Sequence, residues 1–198
     1  MKWRKKSRIH AYRVGVRGIF VLLILPFFLS ACFANSAKDR HVRSPASFLR
    51  DVKVVVDSGG VGDVEFIRSR LKIDCDSGPK EPVRDREGVV KGYGADMKCT
   101  SSSKEYEKER DFYYGLFWPV GMDFYRAGLS LPINGKEICI KSCDIFKVFD
   151  NVERYLVSHS GSWSYMYKRS GINSRVVFSV GRNGCVGGVY ISMNRERE

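Results

Sequence analysis

The opening of the chain differs in kind from everything after it, and this restricts what can fold. Met1 to Gly18 contains Lys2, Arg4, Lys5, Lys6, Arg8, Arg13 and Arg17 and no acid. Ile19 to Leu29 follows as a short apolar run, and Ser30 and Ala31 are small. A basic head, a short apolar middle and small residues before a cleavage point describe a secretory signal. The run is shorter than the roughly 20 residues that cross a bilayer as a helix, and Pro26 interrupts it. A plain signal peptide or a single N-terminal anchor is the alternative.

The junction residues narrow this further. Leu29-Ser30-Ala31-Cys32 resembles the lipobox of bacterial lipoprotein signal peptides. The resemblance covers residues 1–32 only. It implies that Cys32 becomes the new N-terminus and carries a thioether-linked diacylglycerol, usually with a third chain, such as palmitate, on its amino group. At about 0.8 kcal/mol per buried methylene, two or three acyl chains anchor a protein firmly. In that family an Asp after the Cys marks inner-membrane retention. Here Phe33 follows, which implies the outer membrane, facing the periplasm, rather than the inner membrane. The chain then divides into a signal (1–31), a polar flexible tether (32–47) and a single α+β domain (48–194). That domain could also be two small packed halves with a break near 102–111.

Removing the signal changes the electrostatics. It holds seven of the 34 Lys and Arg residues and none of the 22 acids, so the formal +12 falls to 27 against 22, a net of +5. No Lys/Arg run with interleaved aromatics follows, so the footprint of a nucleic-acid binder is missing. A mildly basic surface suits an acidic protein partner or anionic headgroups. Five further cysteines remain: Cys75, Cys99, Cys139, Cys143 and Cys185. An oxidising compartment favours disulfides, and an odd count leaves one thiol over or paired between molecules. Cys75 and Cys99 each end a strand-like run and are expected to pair. Cys185 is expected to pair with Cys139 or Cys143.

Patterning predicts α+β: antiparallel hairpins with one principal amphipathic helix over about 144–157, then a three-strand meander. Val52 to Val56 is β-branched and reads as a strand, and Glu65 to Asp76 reads as another. The glycine-rich stretch Asp57 to Asp63 reads as the hairpin loop between them. Val89 to Ser101 is a further strand, and 102–111 a charged loop or short helical turn. Asn134-Gly135 between apolar runs signals a two-residue hairpin. Ile145, Phe146, Val148, Phe149, Val152 and Leu156 share one helical face. The last strands cover 163–168, 174–180 and 186–193. In the final one Val189, Ile191 and Met193 share a face and Tyr190 takes the other.

Residues for chemistry are scarce. His159 is the only histidine of the expected domain, so a triad or multi-His zinc site lacks its material. Cys139-Ile-Lys-Ser-Cys143 has the wrong spacing for a redox pair. Asp74, Asp76, Asp96 and Asp123 are scattered. No catalytic residue, metal site or cofactor is expected. The aromatic segment 112–125 is the functional candidate, with Tyr113, Tyr114, Phe117, Trp118 and Tyr125 as partner-binding residues; the competing reading is core packing. The sequence therefore points to a non-enzymatic, lipid-anchored envelope protein that binds another protein, in the manner of an inhibitor or immunity protein against a periplasm-acting toxin. An envelope-assembly or structural lipoprotein is the alternative. An enzyme would have to use the scattered carboxylates or Cys143.

Overall fold

The computed structural model describes residues 42–157 and 162–194. The signal, Cys32, most of the tether, His159 and residues 195–198 lie outside them. Among the described residues, three α-helices accompany one nine-stranded antiparallel sheet, an α+β architecture dominated by sheet. No helix among them is long and apolar enough to cross a membrane.

Helix α1 spans Pro45–Ser58. The Ser44 side chain caps it by accepting from the Ser47 N–H at 3.2 Å, and Pro45 stands at its start. Gly59, at φ +64°, ends it in the left-handed region. Phe48, Leu49, Val52, Val55 and Val56 are all buried, and they recur at helical spacing along one face. The strand expected at 52–56 is therefore helix: a capped, periodic segment overrides the β-preference of a short valine run. The glycine-rich stretch is a 3-10 turn at Gly60–Gly62 instead of a hairpin loop. Asp63 then accepts from the Phe66 N–H at 3.0 Å and starts α2, Val64–Leu71. Of the strand expected at 65–76, only β1 (Asp74–Asp76) exists.

The remaining strands are β2 (Glu81–Arg84), β3 (Val90–Thr100), β4 (Tyr113–Pro119), β5 (Arg126–Pro132), β6 (Glu153–Val157), β7 (Ser162–Arg169), β8 (Ser174–Val180) and β9 (Val186–Asn194). The sheet order is β1-β3-β4-β5-β9-β8-β7-β6, with β2 also on β3. The long crossover is the segment between β5 and β6. It opens at Asn134, whose carbonyl accepts from the N–H groups of Glu137 and Ile138 at 3.1 and 3.0 Å. Neither Asn134 nor Gly135 has positive φ, so the expected two-residue hairpin is a helix-like turn, and no strand follows it.

Helix α3 covers only Ser142–Val148. The helix expected over 144–157 stops there because Asp150-Asn151 turns the chain, with Asn151 at φ +54°. Tyr155, Leu156 and Val157 then suit a strand and form β6 against β7. Arg154 crosses to lie 3.5 Å above the Trp163 ring, a cross-strand pair that an isolated helix could not make.

Two disulfides brace this frame. Cys75 and Cys99 face each other across β1 and β3. Cys139 joins Cys185, tying the crossover to the start of β9; this resolves the choice left open for Cys185. Cys143, in the first turn of α3, is not a free thiol either.

Arg43, Ser44 and 45–47, at the end of the stretch read as tether, belong to the folded body. Arg43 is the fastening. Its Nε donates to both Glu105 carboxylate oxygens at 3.0 and 2.9 Å, and its backbone N–H donates to Oε1 at 2.6 Å. Nη1 donates to Asp51 Oδ2 and to the Arg70 carbonyl, both at 2.9 Å. Glu105 is fully buried. Burial pushes its pKa up, but the Arg43 hydrogen bonds outweigh this and hold it below the usual carboxylate range. One side chain thus joins the entry to α1, the exit of α2 and the 102–111 loop.

Removing Arg43 leaves a buried carboxylate unpaired, so Arg43→Ala should cost about 3–5 kcal/mol, read by chemical denaturation. A folded pKa below the unfolded value of about 4.3 stabilises at higher pH and loses that contribution as pH falls through the folded pKa. Unfolding free energy should therefore decline below about pH 4, and Glu105→Gln should flatten that decline while lowering stability at neutral pH.

Candidate functional site

Side chains alternate across a sheet, and here the alternation separates two unlike faces. One face carries rows such as Met97, Tyr114, Leu129, Ile191, Val176 and Tyr167, aligned strand to strand. These are buried with the apolar residues of α1, α2 and α3 in a single core. The opposite face carries none of the three helices. Its central row is Asp96, Gly115, Gly128, Ser192, Arg175 and Lys168, running across β3, β4, β5, β9, β8 and β7. Beside it lies the row Tyr113, Ser130, Tyr190, Val177 and Met166. On the other side are Gly94, Phe117, Arg126 and Asn194.

The glycine pair explains how the tyrosines sit. A Cβ on Gly115 would lie 2.6 Å from the Tyr113 hydroxyl and 3.0 Å from Asp96 Oδ1. A Cβ on Gly128 would lie 3.1 Å from the Tyr190 hydroxyl and 3.6 Å from the Tyr113 ring. Both rings therefore fold across bare backbone, covering strand positions that offer no side chain of their own. Each stays substantially exposed, Tyr113 at 52 % and Tyr190 at 40 %. Burial of the phenol, with the nearby Asp96 charge and Tyr190, pushes the Tyr113 pKa up. Phe117 lies flat in the same way over Gly92.

The charged groups are held from the floor. Arg126 Nε donates to Asn194 Oδ1 at 3.1 Å, and Arg175 Nε donates to Ser192 Oγ at 2.9 Å. Those bonds orient each guanidinium, Arg126 also lying 5.7 Å from the Phe124 ring centroid, and no hydrogen bond or ion pair to a described residue occupies the terminal nitrogens. The rows line part of an open groove of about 1530 Å³.

The expected partner-binding residues separate. Tyr113 and Phe117 stand on the open face. Tyr114 points to the core, 1 % exposed, and its hydroxyl donates to the Val61 carbonyl at 2.8 Å. Trp118 is on the same side as Tyr114, part-buried against the core, under Lys80 at 4.1 Å. Tyr125 packs on Gly62 and the core. Tyr190, Arg126 and Arg175 were not singled out from sequence. For Tyr190 the signal was present, since it opposes Val189 and Ile191 in an alternating strand. Asp74 is spent on an ion pair with Arg68 at 2.8 Å. Among the described residues no group of three His, Cys, Asp or Glu is arranged to hold a metal ion.

The chain matches no family model, and neither a curated protein nor a solved structure is significantly similar to it.

If Tyr113 rests on Gly115 beside Asp96, removing that charge should bring its phenol pKa back down. Asp96→Asn should lower the Tyr113 value, and Gly115→Ala should do the same by displacing the ring into water. The measurement is NMR titration of the Tyr113 ring carbon; an unchanged titration in both variants would contradict the geometry.

Proposed function

We propose that this chain is a lipid-anchored cell-envelope protein that acts by binding a protein partner through the open face of its sheet. Cys32 supplies the anchor at the periplasmic side of the outer membrane. The partner is a toxin or hydrolase acting in the periplasm, which the protein neutralises in the manner of an inhibitor or immunity lipoprotein.

The observation that carries this reading is the composition of the sheet face that none of the described helices covers: Tyr113 and Tyr190 exposed and Phe117 half-buried, beside Arg126 and Arg175. Tyr and Arg are the residue types that dominate protein-binding energetics. They rise from strands hydrogen-bonded on both sides, so little backbone has to be ordered on association. The toxin-directed form rests on analogy with small lipid-anchored inhibitors.

Two linked measurements test it. The first is the mass of the mature N-terminus. The reading expects a diacylated Cys32 with Met1–Ala31 removed. A thioether sulfur cannot also form a disulfide, so a peptide joining Cys32 to Cys143, or an intact Met1, would overturn the anchor. The second is capture from periplasmic extract by the lipidated protein and by Tyr113→Ala/Tyr190→Ala, with both shown to be equally folded. Loss of a secreted toxin or hydrolase on substitution supports the proposal. Undiminished capture counts against the face, and recovery of envelope-assembly machinery instead favours an assembly role.

A further inference from the structure

The groove is polarised in charge, and its polarity selects a class of partner. Among the described residues, Arg126, Lys168, Arg169 and Arg175 line it, against Asp96 as the one acid. Arg126, Arg169 and Arg175 have no carboxylate partner among the described residues, and Lys168 shares Glu153 at 3.5 Å near the surface. The described lining therefore carries four positive charges against one negative, with the three arginines free of carboxylate partners among the described residues. Asp96 stands on β3 at one side, and the cations stand on β5, β7 and β8. From β3 to β7 the row crosses five strand spacings of about 4.8 Å, or roughly 24 Å, which is the length of about seven extended residues.

We propose that this groove receives an acidic, extended segment of the protein partner, with Arg126 and Arg175 pairing its carboxylates and Tyr113 and Tyr190 covering its backbone. This deepens the binding reading above and rests on it. A guanidinium fixed at Nε keeps two terminal N–H pairs, the fork that matches a carboxylate. The tyrosines lie down over glycine backbone in the groove floor. They do not project as a wedge, so they are badly placed to enter an acyl layer. Serine, glycine and asparagine between them suit peptide hydrogen bonding.

The test uses the lipidated chain in neutral-detergent micelles and a fluorescent poly-glutamate peptide, followed by anisotropy at low and high salt. Binding should weaken with salt. Arg126→Ala/Arg175→Ala should weaken it about thirtyfold at low salt, taking each exposed charge contact at the upper end of its usual worth. Lys136→Ala/Lys147→Ala removes equal charge from residues outside the groove and should change binding less than twofold. Equal weakening by both double variants would overturn the proposal. So would failure to bind poly-glutamate while phosphatidylglycerol vesicles or a single-stranded oligonucleotide bind through the same arginines. Arginine-dependent peptide binding with capture indifferent to Tyr113 and Tyr190 removes the functional proposal alone. Tyrosine-dependent capture indifferent to Arg126 and Arg175 removes only the acidic partner.

Discussion

Among the described residues, a nine-stranded sheet has two faces, and three helices of 14, 8 and 7 residues cover one. Everything else in the molecule follows from that inequality. The covered face can be wholly apolar, and Leu129, Ile191, Val176 and Phe178 are each 0 % exposed. The uncovered face must be wettable, yet must not leave backbone bare at its glycines. Tyrosine meets both demands, because its ring and hydroxyl lie over the glycine backbone while much of the polar-tipped side chain remains exposed. The surface proposed for binding is thus also what a sheet covered on one side needs at those positions.

Helices on one face leave the sheet margins to be secured by other means. Cys75–Cys99 pins β1, the edge strand, to β3. Cys139–Cys185 fixes the crossover beside β9, where Ile138 and Ile140 are buried. Arg43 gathers the chain entry, the end of α2 and the charged loop around one buried carboxylate. Buried ion pairs bring little net stability but a large penalty when halved. Arg43 therefore acts as a lock on position, at the N-terminal start of the described residues.

Much of this was legible in the residues, and the failures share a cause. Alternation in 174–180 and 186–193 placed the strands and faces correctly, because each has one dry side. The Cys75–Cys99 pairing followed from two strand ends. Val52 to Val56 misled because five residues show β-branching more plainly than period, although Ser44-Pro45 and Gly59 bracketed a helix. Residues 144–157 misled in the opposite sense: apolar spacing across a turn at Asn151 imitates a single helical face. Arg43–Glu105 was invisible, since the two are 62 residues apart and each sits among charges that look solvated. Arg126 and Arg175 were lost for the same reason, being ordinary surface cations until strand register places them on one face.

If the partner sits on the sheet face that the helices leave open, binding shields that face from solvent. Hydroxyl-radical footprinting of the protein with and without its captured partner reads this side chain by side chain. Tyr113, Phe117 and Tyr190 should lose reactivity on binding, while Phe146 and Trp163, exposed on the side of the sheet that carries the helices, keep theirs. Full reactivity at Tyr113 and Tyr190 in the complex, with protection at Phe146 and Trp163, would contradict it.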